Sequence, residues 1–175
     1  MRVPSSRNPR VASSINPLVA LSLNPRVASS LNPNVASSRN PLISSSLNPR
    51  VSASINPKVA ASLNYKIASS INPRVASSLN PRIASSLNPN VVANIGGLYV
   101  WSLDLEVMAF TVEANAVVRL IFDTNVDFSG VLITVREDFL NEFDLNNEWV
   151  AYWIHARDQS WLRFTLKGRW IGFTT

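Results

Sequence analysis

The 175-residue chain contains no cysteine, which excludes disulfide frameworks, thiol nucleophiles and thiolate metal sites. It also lacks long hydrophobic runs, since its apolar stretches are far shorter than the ~20 residues that a membrane-spanning helix needs. Its first residues do not include the apolar segment of a secretory signal peptide. We therefore expect a protein with no membrane span, no disulfide and no Sec-type signal.

Acidic, aromatic and glycine residues are nearly missing from the first half of the chain. Residues 1–96 contain ten Lys and Arg, no Asp or Glu, and one aromatic residue, Tyr65, so their charge is +10. The rest of the chain holds six basic and eleven acidic residues, which gives 6 − 11 = −5. We predict two unlike parts, residues 1–95 and 98–175, joined by a hinge at Gly96 and Gly97.

The first part consists of an octapeptide repeat, N-P-x-[VI]-[AS]-[SA]-S-[LI]. Asn recurs every eight residues from Asn8 to Asn88, and Pro follows it everywhere except at Tyr65. Regular Pro excludes a long α-helix, and the fixed phase of Val or Ile and of Leu or Ile predicts a buried face. We expect an Asn-Pro turn and a short A-S-S-L strand in each octad, stacked into a β-solenoid or an intertwined fibrous stalk. Its structural repeat is represented by Asn72, Pro73, Val75, Ser78 and Leu79.

Two alternatives to a β stalk stay open at this point. Asn followed by Pro is also a favourable helix start, so each octad could be one helical turn in a solenoid of mini-helices. A low-complexity tract of this kind could also be disordered.

Residues 98–175 are typical of a small antiparallel β domain. Six segments are rich in Val, Ile, Thr and aromatic residues, namely 98–112, 116–123, 130–138, 148–156, 160–166 and 169–174. The acidic stretch 137–147 is the only helical candidate. We predict an all-β protein whose stalk is followed by a small β-sandwich or meander head. Fourteen aromatic residues are many for a head of this size, so oligomerisation is expected.

No residue pattern in the chain indicates catalysis. His155 has no Cys and no second His with which to hold a metal ion. Asp104 and Glu106 share one face of a predicted strand, where neighbouring carboxylates are usually solvated. The acidic segment 123–127 has the alternate-oxygen spacing of a calcium loop, but a hairpin turn explains it better. We expect no enzyme, no catalytic residue, no metal and no cofactor.

Aromatic and basic side chains are the candidates for binding. Trp149, Trp153 and Trp161 could form a subunit interface or contact a glycan, and strand parity places the first two on one face. Basic residues recur after Pro, but the same position accepts Leu18 and Asn34 and no aromatic residues alternate with it, so nucleic acid is disfavoured as a partner. The opposite charges of the two parts predict attraction between the stalk and head of neighbouring molecules.

A repetitive stalk joined to an aromatic head resembles, in architecture, shaft-plus-head fibre proteins such as bacteriophage tail fibres and the hair proteins of spore surfaces. The resemblance implies a non-enzymatic structural protein that self-assembles as a homo-oligomer, such as a trimer or filament, into a fibre or appendage on a virion, spore or cell surface. The alternative is a binding module whose head recognises a carbohydrate or a protein receptor. A lesser alternative is a basic stalk that binds nucleic acid or an envelope.

Overall fold

The computed structural model describes all 175 residues and contains two kinds of regular element. Residues 1–95 form eleven single 3-10 turns, at Ser5–Arg7, Ser13–Ile15, Leu21–Leu23, Ser29–Leu31, Ser37–Arg39, Ser45–Leu47, Ala53–Ile55, Ala61–Leu63, Ser69–Ile71, Ser77–Leu79 and Ser85–Leu87. The remaining residues form eight strands, β1 (Tyr99–Ser102), β2 (Val107–Glu113), β3 (Val118–Asp123), β4 (Phe128–Arg136), β5 (Phe139–Asp144), β6 (Trp149–Arg157), β7 (Ser160–Thr165) and β8 (Trp170–Thr174). No helix has the length and apolar character needed to cross a membrane.

The eight strands pair antiparallel in sequence order, and β8 pairs with β1, so the sheet closes into a barrel. The predicted octapeptide-repeat β-solenoid or fibrous stalk is therefore wrong, as is the sandwich or meander head. The repeats contain no strand, and the predicted strand 98–112 is two strands separated by a turn. The predicted helix at 137–147 is wrong too, because this segment contains β5. Periodicity alone does not separate short elements of these types.

Asn determines the local conformation of every octad. In each of the eleven octads its side-chain oxygen accepts a hydrogen bond from the backbone N–H two residues later, at 2.9–3.0 Å. The carbonyl of Asn72, for example, accepts the N–H groups of Val75 and Ala76, and the carbonyl of Ala76 accepts that of Leu79. These amides bond locally, so the A-S-S-L segment has few donors left for a strand ladder.

We name residues 1–95 the collar and residues 98–175 the barrel, because the repeats encircle the sheet. Successive octads contact the hairpin turns of the barrel in the order β1–β2, β7–β8, β5–β6 and β3–β4. The ends of the collar meet where the Arg2 N–H donates to the Pro89 carbonyl at 2.9 Å. The four turn contacts are Arg10 with Glu106, Asn34 with Gly168, Lys58 with Glu148, and Arg82 with Asp127.

The collar covers the apolar outer face of the barrel. Leu47 and Ile71, each 1% exposed, belong to the same hydrophobic cluster as Phe110, Phe122 and Tyr152 of the barrel. Burial at these positions brings apolar surface of both parts out of water.

The Val and Ile column of the octads points away from the barrel. Val75 is 65% exposed, so its predicted burial is wrong, whereas Pro73 is buried and Leu79 is half-buried. The fourth and eighth octad positions share a face only in a strand, and here the chain turns between them.

The barrel carries an internal repeat of 21 residues, one hairpin per unit. The residue with positive φ in each β1–β2-type turn recurs at this interval, at Leu105, Val126, Asn147 and Gly168. Three octads, or 24 collar residues, lie opposite each hairpin, as the spacing of Asn34, Lys58 and Arg82 shows. The molecule therefore has approximate four-fold symmetry, which neither half displays through its average composition.

The interior of the barrel holds one charged pair in an apolar cluster. Val100, Ile121, Glu142 and Arg163 lie 21 residues apart, on β1, β3, β5 and β7. Glu142 Oε1 and Oε2 accept hydrogen bonds from the Arg163 guanidinium at 2.6 and 2.8 Å, and Oε2 also accepts the Trp153 indole N–H at 2.8 Å. Two apolar and two charged residues thus occupy four equivalent positions.

Candidate functional site

Three cavities lie along the seam between collar and barrel, and they are equivalent to one another. The β5–β6 pocket, about 150 Å³, is lined by Pro49, Arg50, Asn56, Lys58, Phe143, Asn147, Glu148 and Trp149. Shifting these positions by 24 in the collar and by 21 in the barrel gives the linings of the other two. The β3–β4 pocket, about 300 Å³, is lined by Pro73, Arg74, Asn80, Arg82, Phe122, Val126, Asp127 and Phe128. The β7–β8 pocket, about 180 Å³, is lined by Pro25, Arg26, Asn32, Asn34, Phe164, Gly168, Arg169 and Trp170.

Each pocket contains an arginine from the position after Pro. The guanidinium carbons of Arg50 and Arg26 lie 5.4 Å from the ring centroids of Trp149 and Trp170, within cation–π range. These two guanidinium groups and that of Arg74 form no ion pair and no hydrogen bond within the chain. Their N–H donors are therefore held in place at the pocket and remain available to a ligand.

The position after Pro follows a period of three octads, which explains its mixed composition. The first class is always Arg and lies at the seam pockets, as Arg26, Arg50 and Arg74 do. The second class contacts the barrel turns and includes Arg10, Lys58 and Arg82, which pair with carboxylates. The third class has no such contact, and it consists of Leu18, Leu42, Lys66 and Asn90.

Much of the opposite charge of the two parts is paired within one chain. Besides the three seam pairs, Arg39 lies 3.4 Å from Asp138. Burial raises the pKa of Asp138, but the hydrogen bond and charge of Arg136 and the charge of Arg39 lower it more, so the net shift is below the ordinary value. The charge split thus has an intramolecular role in holding the collar on the barrel.

The β5–β6 pocket also contains unsatisfied polar atoms. Asn147 Oδ1 and Trp149 Nε1 are buried without a hydrogen-bond partner. The equivalent indole of Trp170 donates to the Gly172 carbonyl at 2.8 Å. A buried donor or acceptor without a partner costs about 1–3 kcal/mol, and such groups are frequent where a ligand or water completes the site.

The three tryptophans considered from the sequence are not brought together. Trp149 lines a pocket, Trp153 lies inside the barrel, and the half-buried Trp161 contacts the ring of His155 at a centroid distance of 4.8 Å. The predicted common face of Trp149 and Trp153 is wrong because β6 has a bulge, in which Glu142 pairs with Ala151 and the next residue pairs with Trp149. One extra residue reverses the strand parity.

The acidic candidates have local structural roles. Asp123 Oδ1 accepts the N–H groups of Asn125 and Asp127, which closes the β3–β4 turn. Glu106 pairs with Arg10, and Asp104 lies in the β1–β2 turn rather than on a strand. No group of three or more His, Cys, Asp and Glu side chains is arranged to hold a metal ion.

Sequence reasoning missed the seam pockets because it treated each octad as equivalent. Two patterns could have found them. Arg recurs every 24 residues at positions 2, 26, 50 and 74, and the turn residues Glu106, Asp127, Glu148 and Arg169 recur every 21. Two periods that share a four-fold count predict two parts in register with each other.

Comparison with known proteins finds no relative: no protein-family model, no curated protein and no solved structure matches this chain. The resemblance to shaft-plus-head fibre proteins therefore stays a prediction. Function has to be argued from the seam pockets themselves.

Proposed function

We propose that this protein is a non-enzymatic, multivalent carbohydrate-binding module whose ligands occupy the seam pockets. The observation that carries the proposal is the repetition of one pocket, with an unpaired arginine, an asparagine and aromatic side chains each time. A core position would be repeated for packing alone, but the guanidinium groups of Arg26, Arg50 and Arg74 have no packing partner that requires their charge.

The chemistry of each pocket suits a sugar ring. Guanidinium and carboxamide groups donate and accept hydrogen bonds to neighbouring hydroxyls, and aromatic carbon packs against the apolar face of a pyranose. Because Trp149 holds Arg50 by stacking, binding immobilises little additional side-chain freedom. The cavities are small, so each takes one sugar unit rather than a large ligand.

Repetition supports a binding role more than catalysis. The carboxylates at two pockets, Glu148 and Asp127, are already paired with Lys58 and Arg82, so neither is free to act as a general acid or base. Weak sites repeated around a ring bind a polymeric glycan with an avidity well above that of one site.

Glycan-array binding by the full chain, followed by calorimetry with the best oligosaccharide, tests the proposal. The triple variant Arg26→Gln, Arg50→Gln, Arg74→Gln should lose binding, while each single variant keeps part of it. Lys66→Gln is the matched control, because it removes one collar charge at a position that lines none of the three pockets. Absence of glycan binding, or binding that the triple variant retains, would contradict the proposal.

A second candidate is a structural protein that self-assembles, and the outer surface of the collar favours it. The eleven Val and Ile residues at the fourth octad position are 59–67% exposed and encircle the molecule. The occupant we propose is a second copy, because another collar presents the same eight-residue period and can match it in register. Sedimentation velocity of the wild type and of Val51→Thr, Val59→Thr and Ile67→Thr tests this, and a monomer of 19.3 kDa at all concentrations would exclude it. Either function would suit the predicted location on an external surface.

A further inference from the structure

One seam pocket differs from the others in charge. At three hairpin turns a carboxylate pairs with a basic residue of the collar, as Glu148 does with Lys58. At the β7–β8 turn Arg169 replaces the carboxylate and Asn34 replaces the base. The β7–β8 pocket is therefore lined by two guanidinium groups, Arg26 and Arg169, and by no acidic residue.

The local backbone is adapted to this exchange. Gly168 has φ +75°, and a Cβ at this position would lie 2.5 Å from Asn34 Oδ1. Glycine thus allows Asn34 to approach closely and donate from Nδ2 to the Gly168 carbonyl at 3.1 Å. The equivalent positions carry Leu105, Val126 and Asn147, which would not admit this contact.

Positive charge extends beyond the pocket along the same turn. Lys167 and Arg169 line an adjoining cavity of about 540 Å³, together with Thr165 and Leu166. In the β3–β4 and β5–β6 pockets, Asp127 and Glu148 would repel an anion, and here no such residue does.

We infer that the β7–β8 pocket binds an oxyanion, a carboxylate, sulfate or phosphate, and that in use it is the anionic group of an acidic sugar. The inference rests on the proposed carbohydrate-binding function for the sugar and on the charges of this one pocket for the anion. Arg26 and Arg169 supply planar, permanently charged donors that match oxyanion geometry, and Asn32 adds a carboxamide. The other pockets take neutral sugar units of the same chain, so the preferred ligand is an acidic polysaccharide with neutral residues between its charged ones.

Titration of the full chain, followed by NMR of the indole N–H groups, tests the inference because the indoles of Trp170 and Trp149 report on two different pockets. The ligands are sodium sulfate, sodium phosphate, sodium glucuronate and glucose, all at one ionic strength. We expect the three anions to shift the Trp170 resonance and leave Trp149 unchanged, with glucuronate binding more tightly than sulfate or glucose. The variant N34K/R169E, which copies the charges of the β5–β6 pocket, should weaken anion binding by about tenfold or more.

Two further variants keep the test decisive. Arg169→Gln removes the charge with less risk to folding and should weaken sulfate binding in the same direction, while Lys66→Gln should leave it unchanged. Loss of affinity equal in K66Q and R169Q would mean nonspecific attraction and overturn the inference. Glucuronate no tighter than glucose at Trp170 would overturn it while leaving the carbohydrate function intact. Anion shifts at Trp170 without any response to neutral sugars would instead overturn the carbohydrate function, and the oxyanion site would stand alone.

Discussion

Replacing the buried pair inside the barrel should reveal strong coupling between Glu142 and Arg163. Glu142→Ile leaves the Arg163 guanidinium and the Trp153 N–H without their acceptor, and Arg163→Val leaves a carboxylate that is 6% exposed without its cation. Breaking a buried pair costs about 3–5 kcal/mol. Because the Arg163 side chain is 28% exposed, solvent screening lowers the cost of Glu142→Ile to about 2–4 kcal/mol.

The double variant E142I/R163V should be far more stable than the two single effects predict. It places Ile and Val at positions whose equivalents are already Ile121 and Val100. Only the Trp153 N–H then lacks a partner, which costs about 1–3 kcal/mol. The coupling energy should therefore exceed about 2 kcal/mol.

Urea unfolding followed by tryptophan fluorescence gives the four free energies of unfolding that this cycle needs. If the double variant loses the sum of the two single losses, the residues act independently. The account of the interior as a charged pair substituted into an apolar, four-fold layer would then be refuted.

Three further predictions concern the collar and its attachment. Leu47→Ala should lower the free energy of unfolding by about 2–5 kcal/mol because Leu47 is 1% exposed between collar and barrel, whereas Val51→Ala in the next octad, at a 67% exposed position, should change it by less than about 0.5 kcal/mol in chemical denaturation. The barrel alone, residues 98–175, should aggregate in light scattering where the full chain does not, because its aromatic outer face loses its cover; a monodisperse barrel would contradict this. The lowered pKa of Asp138 means that its contribution is present above the ordinary Asp pKa and lost as pH falls through the lower folded pKa, so Asp138→Asn should reduce stability at neutral pH and weaken its acid dependence, with the exposed Asp158→Asn as control.

Local features were predictable from the sequence to the extent that local chemistry determines them. Five predicted strands, 116–123, 130–138, 148–156, 160–166 and 169–174, lie within two residues of β3, β4, β6, β7 and β8. The closure of the sheet was not predictable in this way, because it depends on pairing between β1 and β8 at opposite ends of the barrel segment. Periodicity likewise shows that positions of an octad are equivalent, but not which of them faces inward.

The candidate site was less accessible than the fold for the same reason. Among the predicted tryptophans only Trp149 lines a pocket, and a bulge moves Trp153 to the opposite face. The pockets arise where two separate periods meet, so neither part contains the site by itself. Arg50, for instance, is one of many collar bases until Trp149 is placed beside it.

The closed collar imposes an order on synthesis and folding. Arg7 donates to the carbonyls of Ile95 and Gly97, contacts that span 88 and 90 residues, and the apolar side chains of the collar face strands that leave the ribosome after it. The nascent collar can form its own Asn turns at once, but it has nothing to enclose until the last hairpin has been made. Its +10 charge and exposed serines then act as a solubility device for an unfinished chain, and the slow step should be the final encirclement rather than any local element.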